Sequence, residues 1–213
     1  MNPATLDNLL TRAAPPLIAI LRGVRPEEVV DIGLALVDVG LAIIEVPLNS
    51  PEPLLSIERL SAAVPPEVLV GAGTVLSASA VDSAAAAGAR LIVAPNADTT
   101  VICRGLQLGL DVVPGMMTAS EALSACAAGA RHLKLFPASS VGTSHLKALA
   151  DVLPRECRVW ATGGTHAGNL AEWLRAGAAG IGVGGALYRP GASAREVGER
   201  ATELVAAWRG IPA

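Results

Sequence analysis

Short apolar runs alternate along this chain with longer segments that are rich in alanine and leucine. Many of the longer segments end at a glycine, and the next apolar run follows at once. Short apolar runs bounded in this way are typical of buried strands, and a glycine just past a helix end is a common terminator. The pattern therefore predicts a repeated strand–helix unit, with helix-closing glycines at Gly40, Gly88, Gly109, Gly129 and Gly177.

The pattern places a boundary at each change of period. We expect strands over residues 17–22, 42–47, 68–72, 90–94, 110–114, 131–136, 158–162 and 179–183. We expect helices over residues 26–39, 51–63, 77–87, 98–107, 118–127, 143–152, 166–175 and 193–208, with a further short helix at 3–13. Pro26 and Pro51 fit a first helical turn, and Ser77, Asp98 and Thr118 are predicted N-caps.

The sequence predicts eight strands, each followed by a helix, and this order indicates an α/β fold. The architecture expected is a (β/α)8 TIM barrel with a short N-terminal helix, in one domain over residues 1–213. A doubly wound open sheet is the alternative. It would need a glycine-rich dinucleotide turn after the first strand, whereas Gly182-Val183-Gly184-Gly185 comes late and lacks the acidic partner downstream.

Composition narrows the function classes. Hydrophobic residues make up 52% of the 213 residues and charged ones 16%, yet no apolar run approaches the length of a membrane span. Residues 1–16 carry Asp7 and Arg12 and lack the apolar segment of a secretory signal, so none is expected. The formal charge of -3, with dispersed arginines, argues against a nucleic-acid surface. Three widely separated cysteines give no disulfide framework. We expect a cytoplasmic protein with no membrane or nucleic-acid partner.

One lysine interrupts a predicted strand. The chain has 16 Lys and Arg residues, and only Lys134 and Lys147 among them are lysines. Lys134 stands between Leu133 and Leu135, so its side chain lies on the opposite face of the strand from theirs. A buried amine has a lowered pKa and can attack a ketone, which a guanidinium cannot do. The sequence indicates a Schiff-base lysine, with a snorkelling or ion-paired lysine as the alternative.

Glu45 is placed in the same unusual way in the second strand. It shares a strand face with Ile43 and Pro47, opposite Ile44 and Val46, so its carboxylate should also point into the barrel. An ion pair with Lys134 would account for both residues structurally. Imine chemistry would use the same carboxylate as an acid/base, and the position of both residues near strand C-termini favours that function.

Glycines at the ends of the last two strands give a separate signal. Barrels commonly bind phosphate with the loops after these strands, where backbone N–H groups face the anion. Gly163, Gly164, Gly184 and Gly185 would allow the close backbone approach. Tight strand–helix turns are the alternative explanation.

Four motifs together carry a family resemblance: Glu45-Val46-Pro47-Leu48-Asn49-Ser50-Pro51, Gly71-Ala72-Gly73-Thr74, Lys134-Leu135-Phe136-Pro137 and Thr162-Gly163-Gly164. In this order the chain resembles the 2-keto-3-deoxy-phosphosugar-acid aldolases, the KDPG/KHG aldolase family. The resemblance implies a barrel enzyme, often a homotrimer, that needs no metal or other cofactor. It would cleave a 2-keto-3-deoxy-6-phospho sugar acid to pyruvate and glyceraldehyde 3-phosphate.

The resemblance also implies residue roles. Lys134 would form the Schiff base and Glu45 would serve as general acid/base. Substrate contacts are expected from Arg22, Thr74, Pro95, Phe136 and Thr162, and phosphate contacts from Gly163, Gly164, Gly184 and Gly185. The histidines show no metal-ligand spacing, so no metal site is expected.

The substrate stays open between two branches of the family. Asn49-Ser50 resembles the 6-phosphogalactonate branch, whereas Thr162 is typical of the 6-phosphogluconate branch and Gly185 stands where a serine often helps to hold phosphate. Two other classes remain. A barrel phosphosugar isomerase or epimerase would use Glu45 as a base without a covalent lysine, and a phosphosugar-binding protein would show no turnover.

Overall fold

The computed structural model describes residues 5–12 and 14–211. The strands are β1 Leu17–Ile20, β2 Ile43–Pro47, β3 Leu69–Gly73, β4 Leu91–Val93, β5 Asp111–Val113, β6 Gly115–Met116, β7 His132–Leu135, β8 Arg158–Thr162 and β9 Gly180–Val183. The helices are α1 Leu6–Thr11, α2 Val29–Asp38, α3 Pro53–Ala63, α4 Ala78–Ala86, α5 Thr99–Gln107, α6 Ala119–Ala127, α7 Ala138–Ala150, α8 Ala167–Arg175 and α9 Ala194–Arg209.

The strands form one parallel sheet in the order β5-β4-β3-β2-β1-β9-β8-β7-β6. Its first and last members, β5 and β6, are separated in the chain only by Pro114, which has no N–H to give to a ladder. The Pro114 carbonyl accepts a hydrogen bond of 2.8 Å from the Lys134 amide. β5 and β6 are therefore one interrupted strand that closes the sheet, and the predicted (β/α)8 barrel is confirmed against the open sheet.

Two apolar layers hold the barrel. The outer layer lies between strands and helices and contains the outward-facing residues of the strands, among them Leu133 and Leu135. The inner layer fills the barrel with Ile18, Ile20, Ile43, Leu69, Leu91, Val93, Val113 and Trp160, to which α1 adds Leu6 and Leu9. The Leu6 amide donates a 2.9 Å hydrogen bond to Asp111 at the start of β5, so α1 covers the N-terminal end of the barrel.

The predicted caps agree with the structure. Ser77, Asp98 and Thr118 each accept a hydrogen bond from a first-turn amide of α4, α5 and α6. All five predicted helix-closing glycines have positive φ, from 71° to 102°, the region in which glycine is least strained. α1 lies within the predicted 3–13, of which residues 3, 4 and 13 fall outside the described part.

Three helix starts were predicted wrongly. α2 begins at Val29 and α3 at Pro53, so Pro26 and Pro51 lie in the preceding turns rather than in first helical turns. α7 begins at Ala138 instead of residue 143. Its first turn precedes Gly142, whose φ of 76° breaks the helical geometry, and the predicted helix corresponds to the part that follows this glycine.

Candidate active site

Lys134 lies on β7 with its side chain inside the barrel, where the residue is 5% exposed. Its Nζ is 4.8 Å from the centroid of the Phe136 ring, on the same strand face. Burial lowers the pKa of Lys134, the nearby Glu45 carboxylate opposes that shift, and Arg22 adds to it. The amine is therefore easier to deprotonate than an ordinary surface lysine.

Glu45 lies on β2 and is 1% exposed. Burial raises its pKa to about 6, against the lowering effect of Lys134 and Arg22. Within the described residues its Oε2 atom has no hydrogen-bond partner. A buried carboxylate with a free oxygen and a pKa close to neutral is suited to accepting and returning protons.

A glycine on the neighbouring strand provides the space for that carboxylate. A Cβ added at Gly73 would lie 1.4 Å from Oε2 of Glu45, far inside van der Waals contact. Gly73 is aligned with Pro47 in the pairing of β2 with β3, two residues beyond Glu45. The glycine of this motif is therefore required by the position of the Glu45 side chain.

Arg22 is held at the mouth of the barrel by residues from two other strand ends. Its Nη1 donates to Oδ1 of Asn49 at 2.5 Å and to Oγ1 of Thr74 at 3.3 Å. Thr74 has a φ of 55°, a left-handed conformation that costs a non-glycine residue roughly 1–3 kcal/mol and is common at functional sites. Ser50 fixes the adjacent turn, because its Oγ accepts from the Gly23 amide at 2.9 Å.

A cavity of about 340 Å³ opens at this end of the barrel. It is lined by Ile20, Arg22, Lys134, Phe136, Thr162, Gly163, Gly164, Thr165, His166, Gly184, Gly185 and Ala186. The lining includes two basic side chains, those of Arg22 and Lys134, and no acidic one. Such a cavity favours an anionic ligand.

The glycine-rich side of the cavity carries unused donors. Gly163 and Gly164 have φ values of 97° and 76°, and a Cβ at Gly164 would lie 2.6 Å from Cβ of Ser139. In the part of the chain that the structure describes, the amides of Gly163, Gly164 and Gly185 donate no hydrogen bond. Amides of this kind, beside the N-terminus of α8, match the needs of a bound phosphate.

Most of the residues expected at the site share this cavity, and a few do not. Glu45 and Thr74 are outside its lining; Glu45 acts on the pKa of Lys134, and Thr74 contacts Arg22. Pro95 is also outside the lining, and its carbonyl group packs against Gly115. Sequence reasoning missed Thr165 and His166, which follow the Thr162-Gly163-Gly164 motif directly and could have been found by extending it.

The histidine below Lys134 belongs to the structural end of the barrel. His132 is buried, with its Nε2 3.1 Å from Oδ1 of Asp7, and its Nδ1 accepts from Nε1 of Trp160 at 3.0 Å. It therefore ties α1 to β7 and β8. Among the described residues, no group of three or more His, Cys, Asp or Glu side chains is placed to hold a metal ion.

Comparisons with known proteins agree with this geometry. The family model described as KDPG and KHG aldolase matches residues 6–199. The chain is 45% identical to 2-dehydro-3-deoxy-6-phosphogalactonate aldolase of Escherichia coli strain K12, over 91% of this chain and 95% of that protein. It is 44% identical to the probable 2-dehydro-3-deoxy-6-phosphogalactonate aldolase of Rhizobium meliloti strain 1021, over 92% of each. A solved structure described as native KDPGal superposes with a TM-score of 0.89 at 45% identity, covering 91% of this chain and 94% of that one. The chain therefore belongs to the KDPG and KHG aldolase family.

Proposed function

We propose that this protein is a class I aldolase that cleaves 2-dehydro-3-deoxy-6-phosphogalactonate reversibly to pyruvate and D-glyceraldehyde 3-phosphate. The observation that carries the proposal is the pair of Lys134 and Glu45, an amine with a lowered pKa and a carboxylate with a raised one, buried together inside the barrel. The names of the two relatives at 44–45% identity support the choice of substrate.

Lys134 supplies the covalent step. Its free amine attacks the C2 ketone of the sugar acid to give a carbinolamine, which loses water to give a protonated imine. The imine nitrogen then accepts the electron pair of the C3–C4 bond as that bond breaks. The products of cleavage are glyceraldehyde 3-phosphate and an enamine of pyruvate on Lys134.

Glu45 moves the protons of these steps. As the C3–C4 bond breaks, the C4 hydroxyl must lose its proton, and the Glu45 carboxylate accepts it directly or through a water molecule. The protonated carboxyl then returns a proton to C3 of the enamine. Hydrolysis of the resulting imine releases pyruvate and restores the Lys134 amine. The pKa of about 6 lets Glu45 both accept and donate a proton near neutral pH.

The two anionic ends of the substrate go to different parts of the site. The planar guanidinium of Arg22 suits the C1 carboxylate. The unpaired amides of Gly163, Gly164 and Gly185 suit the phosphate, because backbone N–H groups can donate hydrogen bonds to its oxygens. Phe136 and Thr162 line the same cavity, and the Thr162 hydroxyl is the group that we assign to a sugar hydroxyl.

The second candidate is a 2-dehydro-3-deoxy-6-phosphogluconate or 4-hydroxy-2-oxoglutarate aldolase, which the family description also covers. Thr162 favours it, because this hydroxyl lies on the cavity beside Gly163 and the resemblance associates it with the gluconate branch. The deciding experiment measures kcat/KM for pyruvate release from both C4 epimers, with and without the 6-phosphate. We expect activity on both phosphorylated epimers with the galacto form preferred; a strong preference for the gluco form would reverse the assignment.

Thr162→Val tests the role of that hydroxyl. Its Oγ1 would lie 2.6 Å from a Cβ at Gly182, so the pocket here is closely packed, and valine keeps the shape of threonine. We expect kcat/KM on the gluco epimer to fall by about tenfold, and by less on the galacto epimer, because a lost hydrogen bond leaves a substrate hydroxyl unpaired. An equal loss on both epimers would show that Thr162 does not discriminate at C4.

Two remaining classes give different results in the same assays. A phosphosugar isomerase or epimerase would exchange protons without releasing pyruvate, and a binding protein would bind the sugar acid without turnover. A homotrimer in the cytoplasm is part of our proposal. The trimer rests on the family resemblance, and light scattering tests it directly. The cytoplasmic location rests on the three free thiols, which fit a reducing compartment.

A further inference from the structure

His166 caps the helix that borders the glycine-rich side of the cavity. It is the N-cap of α8, where its Nδ1 accepts a 3.1 Å hydrogen bond from the Gly168 amide. A nitrogen that accepts from an N–H group carries no proton, so the proton of the neutral ring is on Nε2. A Cβ at Gly168 would lie 3.2 Å from both Nδ1 and Cε1, so this edge of the ring packs on Gly168.

The opposite edge of the ring is left available. In the described part of the chain, Nε2 of His166 makes no hydrogen bond, and His166 lines the cavity together with the unpaired amides of Gly163, Gly164 and Gly185. Asn169 holds this arrangement in place: its Oδ1 accepts from the His166 amide and its Nδ2 donates to the Gly164 carbonyl, both at 2.9 Å. The turn thus presents one side-chain N–H donor beside backbone donors.

The buried amine of Lys134 lines the same cavity and favours an anionic ligand. Lys134 is 5% exposed, and its Nζ lies over the Phe136 ring, 4.8 Å from the ring centroid. Gly185 also lines the cavity and has no neighbour within 4 Å of an added Cβ, so no side chain fills the space there. Thr165 lies nearer to the glycines in sequence, but its hydroxyl donates to the Gly182 carbonyl at 2.6 Å, so His166 is the side-chain donor of this turn that is left for a phosphate.

We propose that His166 is a specificity-determining residue that donates its Nε2–H to the phosphate of the substrate. This inference rests on the proposed function, since it assigns the phosphate of that substrate to a particular side chain. It goes beyond the backbone amides, because an imidazole N–H adds a donor whose position is fixed by the N-cap hydrogen bond. The ring therefore has two tasks, with Nδ1 capping α8 and Nε2 binding the anion.

A matched pair of substitutions separates the two tasks. His166→Asn keeps an acceptor near the position of Nδ1, and asparagine is a good N-cap, but it does not reach as far as Nε2. His166→Gln keeps a donor near the position of Nε2 and loses the N-cap. The probe is inorganic phosphate, titrated by calorimetry into the full-length protein, with thermal unfolding measured alongside.

If Nε2 binds phosphate, His166→Asn weakens phosphate binding by about tenfold or more, the usual effect of losing a hydrogen bond to a charged group, and keeps the stability of wild type. His166→Gln keeps most of the phosphate affinity and lowers the unfolding temperature. KM for the phosphorylated sugar acid should follow the phosphate affinity. The reverse pattern, or the same phosphate affinity in both variants, overturns the proposal. Phosphate binding needs no turnover, so failure of the proposed function appears separately, as wild-type protein that releases no pyruvate.

Discussion

Glu45 is a carboxylate that the fold buries without giving each oxygen a partner. Its Oε2 is unpaired among the described residues, and burial outweighs the two nearby cations in setting its pKa at about 6. Leaving such a group unsatisfied costs stability, and the cost is common where a proton must move. Glu45 should therefore affect the pH dependence of both the activity and the stability of the protein.

The pH dependence of activity should report Glu45. As a base it must be ionised, so kcat/KM should rise with pH through about 6, and it should continue to rise as the lowered pKa of Lys134 is approached. Glu45→Gln should lower kcat by about a hundredfold or more and remove the rise near 6. A variant that keeps both its rate and this rise would show that Glu45 has only a structural role.

The stability of the protein should fall over the same pH range in which ionisation of Glu45 raises the activity. Because folding raises the pKa of Glu45 from 4.5 to about 6, its contribution to stability is fully present below 4.5 and is lost as pH rises through about 6. Glu45→Gln removes that loss. We expect the variant to gain about 2 kcal/mol relative to wild type between acid and neutral pH, measured by urea unfolding at both. If the difference in unfolding free energy between the variant and wild type is the same at acid and at neutral pH, the Glu45 charge is not buried at a cost.

Gly73 can be tested as the residue that makes room for this carboxylate. Gly73→Ala would place a methyl group 1.4 Å from Oε2 of Glu45, so the carboxylate must move. We expect kcat to fall by about a hundredfold, as predicted for removal of the base. Gly71→Ala on the same strand is the control, since its methyl group would meet Leu91 instead. The control should lose stability but keep the activity rise near pH 6; if Gly73→Ala also keeps it, Glu45 has room to adapt.

Single residues were predicted well where strand alternation governed them. The inward faces of Lys134 and Glu45 follow from the period of a strand, and both are buried inside the barrel. The contact of Gly73 with Glu45 joins two strands, so its geometry depends on how β2 and β3 pair. His166 was missed because the motif was read only as far as Gly164, and because an imidazole acting as an N-cap is outside the usual set of capping residues.

Among the elements, α1 closes the barrel at the end opposite to the cavity. Leu6 and Leu9 fill the inner layer, and the Leu6 amide and Asp7 bind Asp111 and His132. These contacts tie α1 to the starts of β5 and β7. The helix therefore contributes to the core and not to the substrate site.

Leu6→Ala tests this contribution. The residue is fully buried, so its loss should leave a cavity and cost about 2–5 kcal/mol of unfolding free energy. Leu10→Ala, at a half-buried position of the same helix, should cost less. Turnover at a temperature where both variants are folded should remain close to wild type, because α1 is far from the chemistry. If the unfolding free energy of Leu6→Ala is no lower than that of Leu10→Ala, Leu6 does not contribute to the core of the barrel.

At the scale of the whole molecule, the repeated strand–helix pattern was sufficient to predict the barrel, whereas contacts distant in sequence were not. The break at Pro114 depends on how β5 and β6 pair with different neighbours. Cys126 and Cys157 looked unrelated in sequence, yet their sulfur atoms lie 3.0 Å apart, and burial and the Cys157 thiol raise the pKa of Cys126 to about 12. The pairing of β7 with β8 brings the segments that precede these two strands together.

The most direct test of the account is to trap the covalent intermediate. Incubation with pyruvate and borohydride, followed by peptide mass mapping, should find one reduced pyruvyl group on Lys134 and none on Lys147, which is exposed on α7. Lys134→Arg keeps the positive charge but cannot form an imine, so the adduct and the turnover should both disappear while the unfolding curve stays close to that of wild type. An adduct on Lys147 alone, no adduct in an active enzyme, or near-normal turnover of Lys134→Arg would contradict the Schiff-base mechanism.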